Sequence, residues 1–210
     1  MELLQQISES LQRGDHEQVA EFTRQAIDAD LSATQILNDG LMSGMDVVGK
    51  RFGAHEIFLP ELLLAARAMN AGIDLLKPLF LGGEMPTQGK VVIGTVKGDL
   101  HDIGKNLVGI MLKGAGYEVV DVGCDVGADV FVDAAEKEGA SVVGLSALLT
   151  TTMTGMKDVV ELVKSRGLQD KVKVIVGGAP LSKEFADEIG ADAYGYDAGN
   201  AVEIVKELAG

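Results

Sequence analysis

Gly98-Asp99-Leu100-His101-Asp102-Ile103-Gly104-Lys105 is the stretch whose reading decides the fold. Before it runs Lys90-Val91-Val92-Ile93-Gly94-Thr95-Val96, a β-branched run bounded by glycines, which reads as a buried strand. After it Ile103, Leu107, Val108, Met111 and Leu112 recur at helical spacing until Gly114 and Gly116 stop the pattern. The octet is therefore a strand-to-helix loop at the carboxyl end of the first strand of an α/β unit. Open parallel sheets bind their ligands at that edge.

The loop offers one imidazole between two carboxylates. A neutral imidazole is a good transition-metal ligand, and its other ring nitrogen needs an acceptor to fix tautomer and basicity. Asp99 and Asp102 both qualify on sequence. Gly104 lets a bulky ligand approach the backbone. An aspartate N-cap beside a solvent-exposed histidine would leave the same residues, so the octet alone does not decide between the two.

Working outward, strands are predicted at 90–96, 117–122, 141–147 and 172–176, with a short fifth near Asp192-Ala193-Tyr194. Helical patterns at about 103–113, 127–138, 152–166, 182–188 and 199–208 alternate with them. Strict alternation means a five-stranded parallel, doubly wound sheet, Rossmann-like in class, with the flavodoxin-like order 2-1-3-4-5. Two more loops then open on the octet's edge: Ser146-Ala147-Leu148-Leu149-Thr150-Thr151-Thr152 after strand 3, and Gly177-Gly178-Ala179-Pro180 after strand 4. Histidine, hydroxyls and a diglycine converge on one crevice.

Residues 1–82 read as helices. Their stripes are Leu3, Leu4, Ile7 and Leu11, then Val19, Phe22, Ala26 and Ile27. Leu37, Leu41, Met45, Val48 and Phe52 follow, and last Leu59, Leu62, Ala66, Met69, Ile73, Leu76 and Phe80. Asp15 and Ser32 are N-cap candidates, Pro60 suits a first turn, and Pro78 should end or bend the last helix. Spacings of three and four make this a four-helix bundle. Residues 83–89, with glycines and Pro86, form the expected linker and hinge to a second domain at 90–210.

The chain holds 18 basic and 32 acidic residues, a net charge of −14. Residues 1–88 carry 6 basic against 13 acidic and the remainder 12 against 19, so each part is at −7. Neither offers a basic face, which argues against nucleic acid and anionic membranes as partners. The N-terminus, Met-Glu-Leu-Leu-Gln-Gln, lacks the basic and apolar regions of a signal peptide, and no apolar run reaches spanning length. The single cysteine, Cys124, fits a reducing compartment and a buried structural role. The expectation is a cytoplasmic protein.

Asp99-x-His101-Asp102-x-Gly104, Ser146-x-Leu148 and Gly177-Gly178 together resemble the three-part signature of cobalamin-binding domains. The preceding bundle, with Phe52-Gly53 and Phe58-Leu59-Pro60, resembles the helical cap of the methyl-transferring branch, and the whole most resembles the methyltransferase cognate corrinoid proteins. The resemblance implies cobalamin, cycling between methylcobalamin and cob(I)alamin, held base-off with His101 as the metal ligand. It implies that Asp99 accepts the imidazole proton with the Thr152 hydroxyl behind it. It further implies cofactor contacts from Asp102, Ile103, Ser146, Leu148 and Thr150. Gly104, Gly177 and Gly178 would make room for the nucleotide tail, and Phe52 and Leu59 would cover the methyl-bearing face. The implied partners are a substrate:corrinoid methyltransferase, a corrinoid:tetrahydrofolate or corrinoid:thiol methyltransferase and a reductive activator. The chain itself is then expected to be non-catalytic alone.

Two other readings share the signature. A subunit of an adenosylcobalamin-dependent mutase would not need Asp102, and the helical cap argues against it. A cobalamin sensor would need an effector domain, for which the sequence offers no candidate. Thr95-Val96-Lys97-Gly98-Asp99 lacks the spaced glycines of a dinucleotide site, and a phosphoacceptor receiver would want an aspartate where Ser146 stands.

Overall fold

A computed structural model describes residues 2–80 and 86–209. The chain forms two compact units, Met1–Pro86 with Gly114–Gly116, and Thr87–Lys113 with Tyr117–Gly210. Of the expected linker, 83–85 lies outside the described residues.

The first unit is helical. Helix α1 (Glu2–Gln12) turns Ile7 and Leu11 fully inward. Helix α2 (His16–Asp28) is capped by Asp15, whose carboxylate accepts from the Gln18 amide at 3.0 Å. The third predicted helix is one rod of three parts: α3 (Ala33–Gln35), a π-helical stretch Ile36–Met42, and α4 (Ser43–Gly53). At the second junction the Ser43 hydroxyl donates to the Asp39 carbonyl at 2.7 Å, a back-bond that competes with the regular ladder. Helix α5 (Leu59–Leu76) starts on Pro60, with Glu61 accepting from the Phe58 amide at 3.1 Å. The chain tightens into a 3₁₀ turn, Lys77–Leu79, at Pro78.

The second unit alternates strand and helix as the sequence predicts. Its strands are β1 (Lys90–Thr95), β2 (Glu118–Asp121), β3 (Val142–Ser146), β4 (Lys173–Gly177) and β5 (Ala193–Gly195). The helices are α6 (Ile103–Gly114), α7 (Ala128–Glu138), α8 (Gly155–Ser165), α9 (Lys183–Ile189) and α10 (Ala198–Ala209). All neighbouring strands pair in parallel, in the predicted order β2-β1-β3-β4-β5.

Apolar burial fixes this arrangement. Val91, Val92, Val142, Val143, Val174 and Val176 are buried on the central strands, which helices cover on both faces. Phe131 of α7 is fully buried and lies on Gly94 of β1, where a Cβ would come within 2.5 Å of its ring. Only glycine admits the phenyl group there. Truncating Phe131 to alanine would cost about 3–5 kcal/mol. Parallel register sets Thr95 beside Ser146, Ser146 beside Gly177, and Gly177 beside Gly195. The loops that follow these residues therefore leave the sheet side by side. Among the described residues no helix is long and apolar enough to cross a membrane.

Candidate functional site

Asp99 is the buried centre of the site, with 0 % of its surface exposed. One carboxylate oxygen, Oδ1, accepts from the His101 amide at 3.1 Å and faces His101 Nδ1 at 2.7 Å. The other, Oδ2, accepts from the Leu148 amide at 2.8 Å, the Leu149 amide at 3.2 Å and the Thr152 hydroxyl at 2.7 Å. Burial alone would raise its pKa. The hydrogen bonds from the Leu148 and His101 amides, the Thr152 hydroxyl and the His101 ring outweigh that and hold the carboxyl well below its ordinary range. Asp99 is thus a fixed negative charge linking the loop after β1 to the loop after β3.

An ionised carboxylate can only accept, so the proton of a neutral His101 ring sits on Nδ1. Nε2 then carries the free lone pair, and among the described residues it has no partner. The His101 side chain is 52 % exposed, unlike its acceptor. A ring held at one nitrogen by a buried carboxylate and open at the other is prepared for a metal. Of the two carboxylates that flank His101 in the loop, Asp99 takes this role, as the family resemblance implies. Asp102 instead accepts from the Asn106 side chain at 2.9 Å.

The loop is braced from behind. Asp125 accepts from the Gly98 amide at 2.7 Å and its own amide donates to the Asp99 carbonyl at 2.9 Å. Thr95 donates its hydroxyl to the His101 carbonyl at 2.9 Å. Lys105, 5 % exposed, donates to Asn106 at 2.8 Å and Asp121 at 2.5 Å, completing a chain of contacts that begins at Asp102. None of these braces was identified from sequence. The signal for Lys105 was present: it lies on the stripe of Val108 and Leu112, where a charge is out of place unless paired.

Beside the loop a cavity of about 380 Å³ runs between one face of the sheet and helices α6 and α10. Gly104, Ser146, Gly177 and Gly178 line it, as do Val91, Val142, Ile175 and Val205. A Cβ at Gly104 would meet no atom within 4 Å beyond its own stretch of helix, so the space there is open. Gly178 has φ +137°, and a Cβ would stand 1.9 Å from the Ala147 carbonyl oxygen; no other residue fits. Among the described residues no group of three or more His, Cys, Asp and Glu gathers to hold a metal ion. One imidazole beside a long, mostly apolar slot suits a metal whose other positions are already filled by an organic ring bearing a tail.

Two family models, both described as B12 binding domain, match residues 89–205 and 3–77. The chain belongs to the family of B12-binding corrinoid proteins. It is 45 % identical over 208 residues to the dimethylamine corrinoid protein of Methanosarcina barkeri, covering 99 % of this chain and 97 % of the relative. A corrinoid protein of Desulfitobacterium hafniense (strain Y51) is 43 % identical over 213 residues, covering 100 % of this chain and 99 % of that one. The methanol:cobalamin methyltransferase complex of Methanosarcina barkeri superposes with a TM-score of 0.90 at 34 % identity, covering 99 % of this chain and 80 % of the matched chain. A cobalamin-binding protein of Desulfitobacterium hafniense DCB-2 gives 0.81 at 32 %, covering 99 % and 98 %.

This corrinoid protein gathers most of the residues expected from its sequence. Asp99, His101, Thr152 and the Leu148 amide form one cluster, and Gly104, Ser146, Gly177 and Gly178 line the adjoining cavity. Ile103 stands 76 % exposed beside His101, next to Leu100 at 75 %. Thr150 is exposed and is joined to neither the Asp99 cluster nor the cavity wall. In the helical unit, Phe52 is half-buried on α4, and Leu59 is exposed at the start of α5 beside exposed Phe58.

Proposed function

We propose that this chain holds a cobamide with its own base displaced, and that His101 would be the protein's ligand to cobalt. In that state it carries a methyl group from a substrate:corrinoid methyltransferase to a corrinoid:tetrahydrofolate or corrinoid:thiol methyltransferase. The bound cobamide supplies a cobalt centre that accepts and releases a methyl group. The single observation that carries the reading is the Asp99–His101 contact at 2.7 Å beside an open, glycine-lined cavity.

Each residue has a derived task. Asp99 keeps the proton on Nδ1, so Nε2 faces outward as a lone pair, and its negative charge makes the imidazole a stronger donor. The amides of Leu148 and His101 and the Thr152 hydroxyl keep Asp99 ionised against its burial. Gly104, Gly177 and Gly178 leave the slot free for a nucleotide tail, and Leu100 and Ile103 near His101 in the loop, with Leu148 whose amide binds Asp99, offer exposed apolar side chains. Phe52 and Leu59, in the helical unit, are assigned to shielding the methyl-bearing face on the strength of the family resemblance. Residues 83–89 are the proposed linker between the two domains. The single cysteine and the reductive chemistry of such carriers support a cytoplasmic location.

Relatives named for dimethylamine make its methyltransferase the first partner to test, with methanol second. Reconstituted, reduced protein is mixed with each candidate methyltransferase and its donor, and the absorption spectrum is followed. Methylation that needs both partner and donor is expected from one pair. Methylation from free donor without any partner, or from no pair although the cofactor is bound, contradicts the carrier role.

A further inference from the structure

The cavity also bears on which cobamide the chain accepts, an inference that rests on the proposed function. Polarity along its wall falls with depth. On β3 the wall carries Ser146 at the carboxyl edge, then Gly144, then Val142. On β4 it carries Gly177 and then Ile175, and Val91 of β1 lies in register with Val142 at the deep end. Helices α6 and α10 run back from the carboxyl edge, so their later residues Leu112 and Val205 face this same end.

None of the residues at the deep end has a side-chain nitrogen or oxygen. Their strand amides and carbonyls are committed to pairing between β1, β3 and β4. A ring that reaches this end therefore loses every hydrogen bond it made to water and gains none. That costs nothing for a hydrocarbon edge and is costly for an amine or ring nitrogen.

We infer that the chain selects among cobamides by the base that ends the nucleotide tail, taking apolar bases in preference to purines. The preferred ring is a p-cresol, or a benzimidazole bearing only alkyl groups. Adenine, with its exocyclic amine and ring nitrogens, is disfavoured.

The test titrates apoprotein with p-cresolyl cobamide and with adeninyl cobamide carrying the same upper ligand, following the absorption change. Both bases bind cobalt weakly or not at all, so the cost of freeing the base does not bias the comparison. The p-cresolyl form is expected to bind at least about tenfold more tightly. Val142→Thr is nearly isosteric and offers a hydroxyl at the deep end, so it should narrow that ratio severalfold. Equal binding of the two, or tighter binding of the adeninyl form, overturns the inference, and this wild-type comparison stands whether or not the variant folds. Cobalamin is titrated in parallel. If it binds base-off while the pair shows no preference, only the selectivity is wrong; if no cobamide binds base-off, the proposed function falls with it.

Discussion

Asp99→Asn probes the site where its charge and its geometry can be separated. The amide replaces one carboxylate oxygen with an NH₂ donor at nearly the same volume. Three donors converge on Oδ2, from Leu148, Leu149 and Thr152, and two on Oδ1, from the His101 amide and ring. The remaining oxygen will serve the larger set, which turns the new NH₂ toward His101. The His101 amide then faces a donor, and the ring relieves its own conflict only by moving its proton from Nδ1 to Nε2. That tautomer has no lone pair to offer at the open nitrogen.

One orphaned amide and the lost charge should lower the stability of the apoprotein by about 2–3 kcal/mol. Axial ligation should weaken about 10- to 100-fold, less than the complete loss expected for His101→Ala. Urea denaturation reads the first effect, and the spectrum of the bound cofactor reads the second. The pH dependence gives a further check. The folded pKa of Asp99 lies below its ordinary 3.8, so its stabilisation is complete above that value and is lost as pH falls toward the folded pKa. The gap between wild type and variant should therefore be full at neutral pH and shrink below about pH 3.8. Wild-type stability together with wild-type ligation in Asp99→Asn would refute the reasoning.

Further expectations concern the supports. Thr152→Val removes one charge-assisted hydrogen bond but leaves two amides on Oδ2, so a loss of about 1–2 kcal/mol is expected, with Thr152→Ser near wild type in thermal unfolding. Gly178→Ala drives a Cβ into the Ala147 carbonyl and should destabilise the apoprotein by at least about 2 kcal/mol, measured by the same urea curves. Gly104→Leu meets no protein atom at its Cβ and should leave the apoprotein as stable as wild type or up to about 1 kcal/mol more stable. It should also abolish cobamide uptake in a gel-filtration assay, because the side chain occupies the cavity.

The strand–loop–helix grammar around residues 90–113 was legible because it is local: β-branched run, glycines, then a stripe at helical spacing. Alternation led to a parallel doubly wound sheet, and the order 2-1-3-4-5 was the flavodoxin-like choice among the few topologies that parallel crossovers leave for five strands. The choice between Asp99 and Asp102 was not legible in the loop itself and came from the family resemblance, which pointed to Asp99. It is made by amides of Leu148 and Leu149, some fifty residues away in the sequence, which no spacing rule reports. Thr152 was assigned through family resemblance, and its 2.7 Å contact with Asp99 gives that assignment a physical basis. Lys105 was overlooked because it sits inside a motif whose glycine and histidine drew the reading, although its place on an apolar stripe called for a buried partner. The π-helical stretch 36–42 escaped because its apolar residues also satisfy an ordinary helical period.

The most direct test of the account uses the cobalt(II) form of the cofactor bound to protein in which histidine is labelled with ¹⁵N. In electron paramagnetic resonance the axial nitrogen splits each cobalt line, into three for ¹⁴N and two for ¹⁵N. The account predicts doublets in the labelled protein, triplets in the unlabelled one, and no nitrogen splitting in His101→Ala. Triplets that persist in the labelled protein would mean that the cofactor's own base remains on cobalt, and that would contradict ligation by His101.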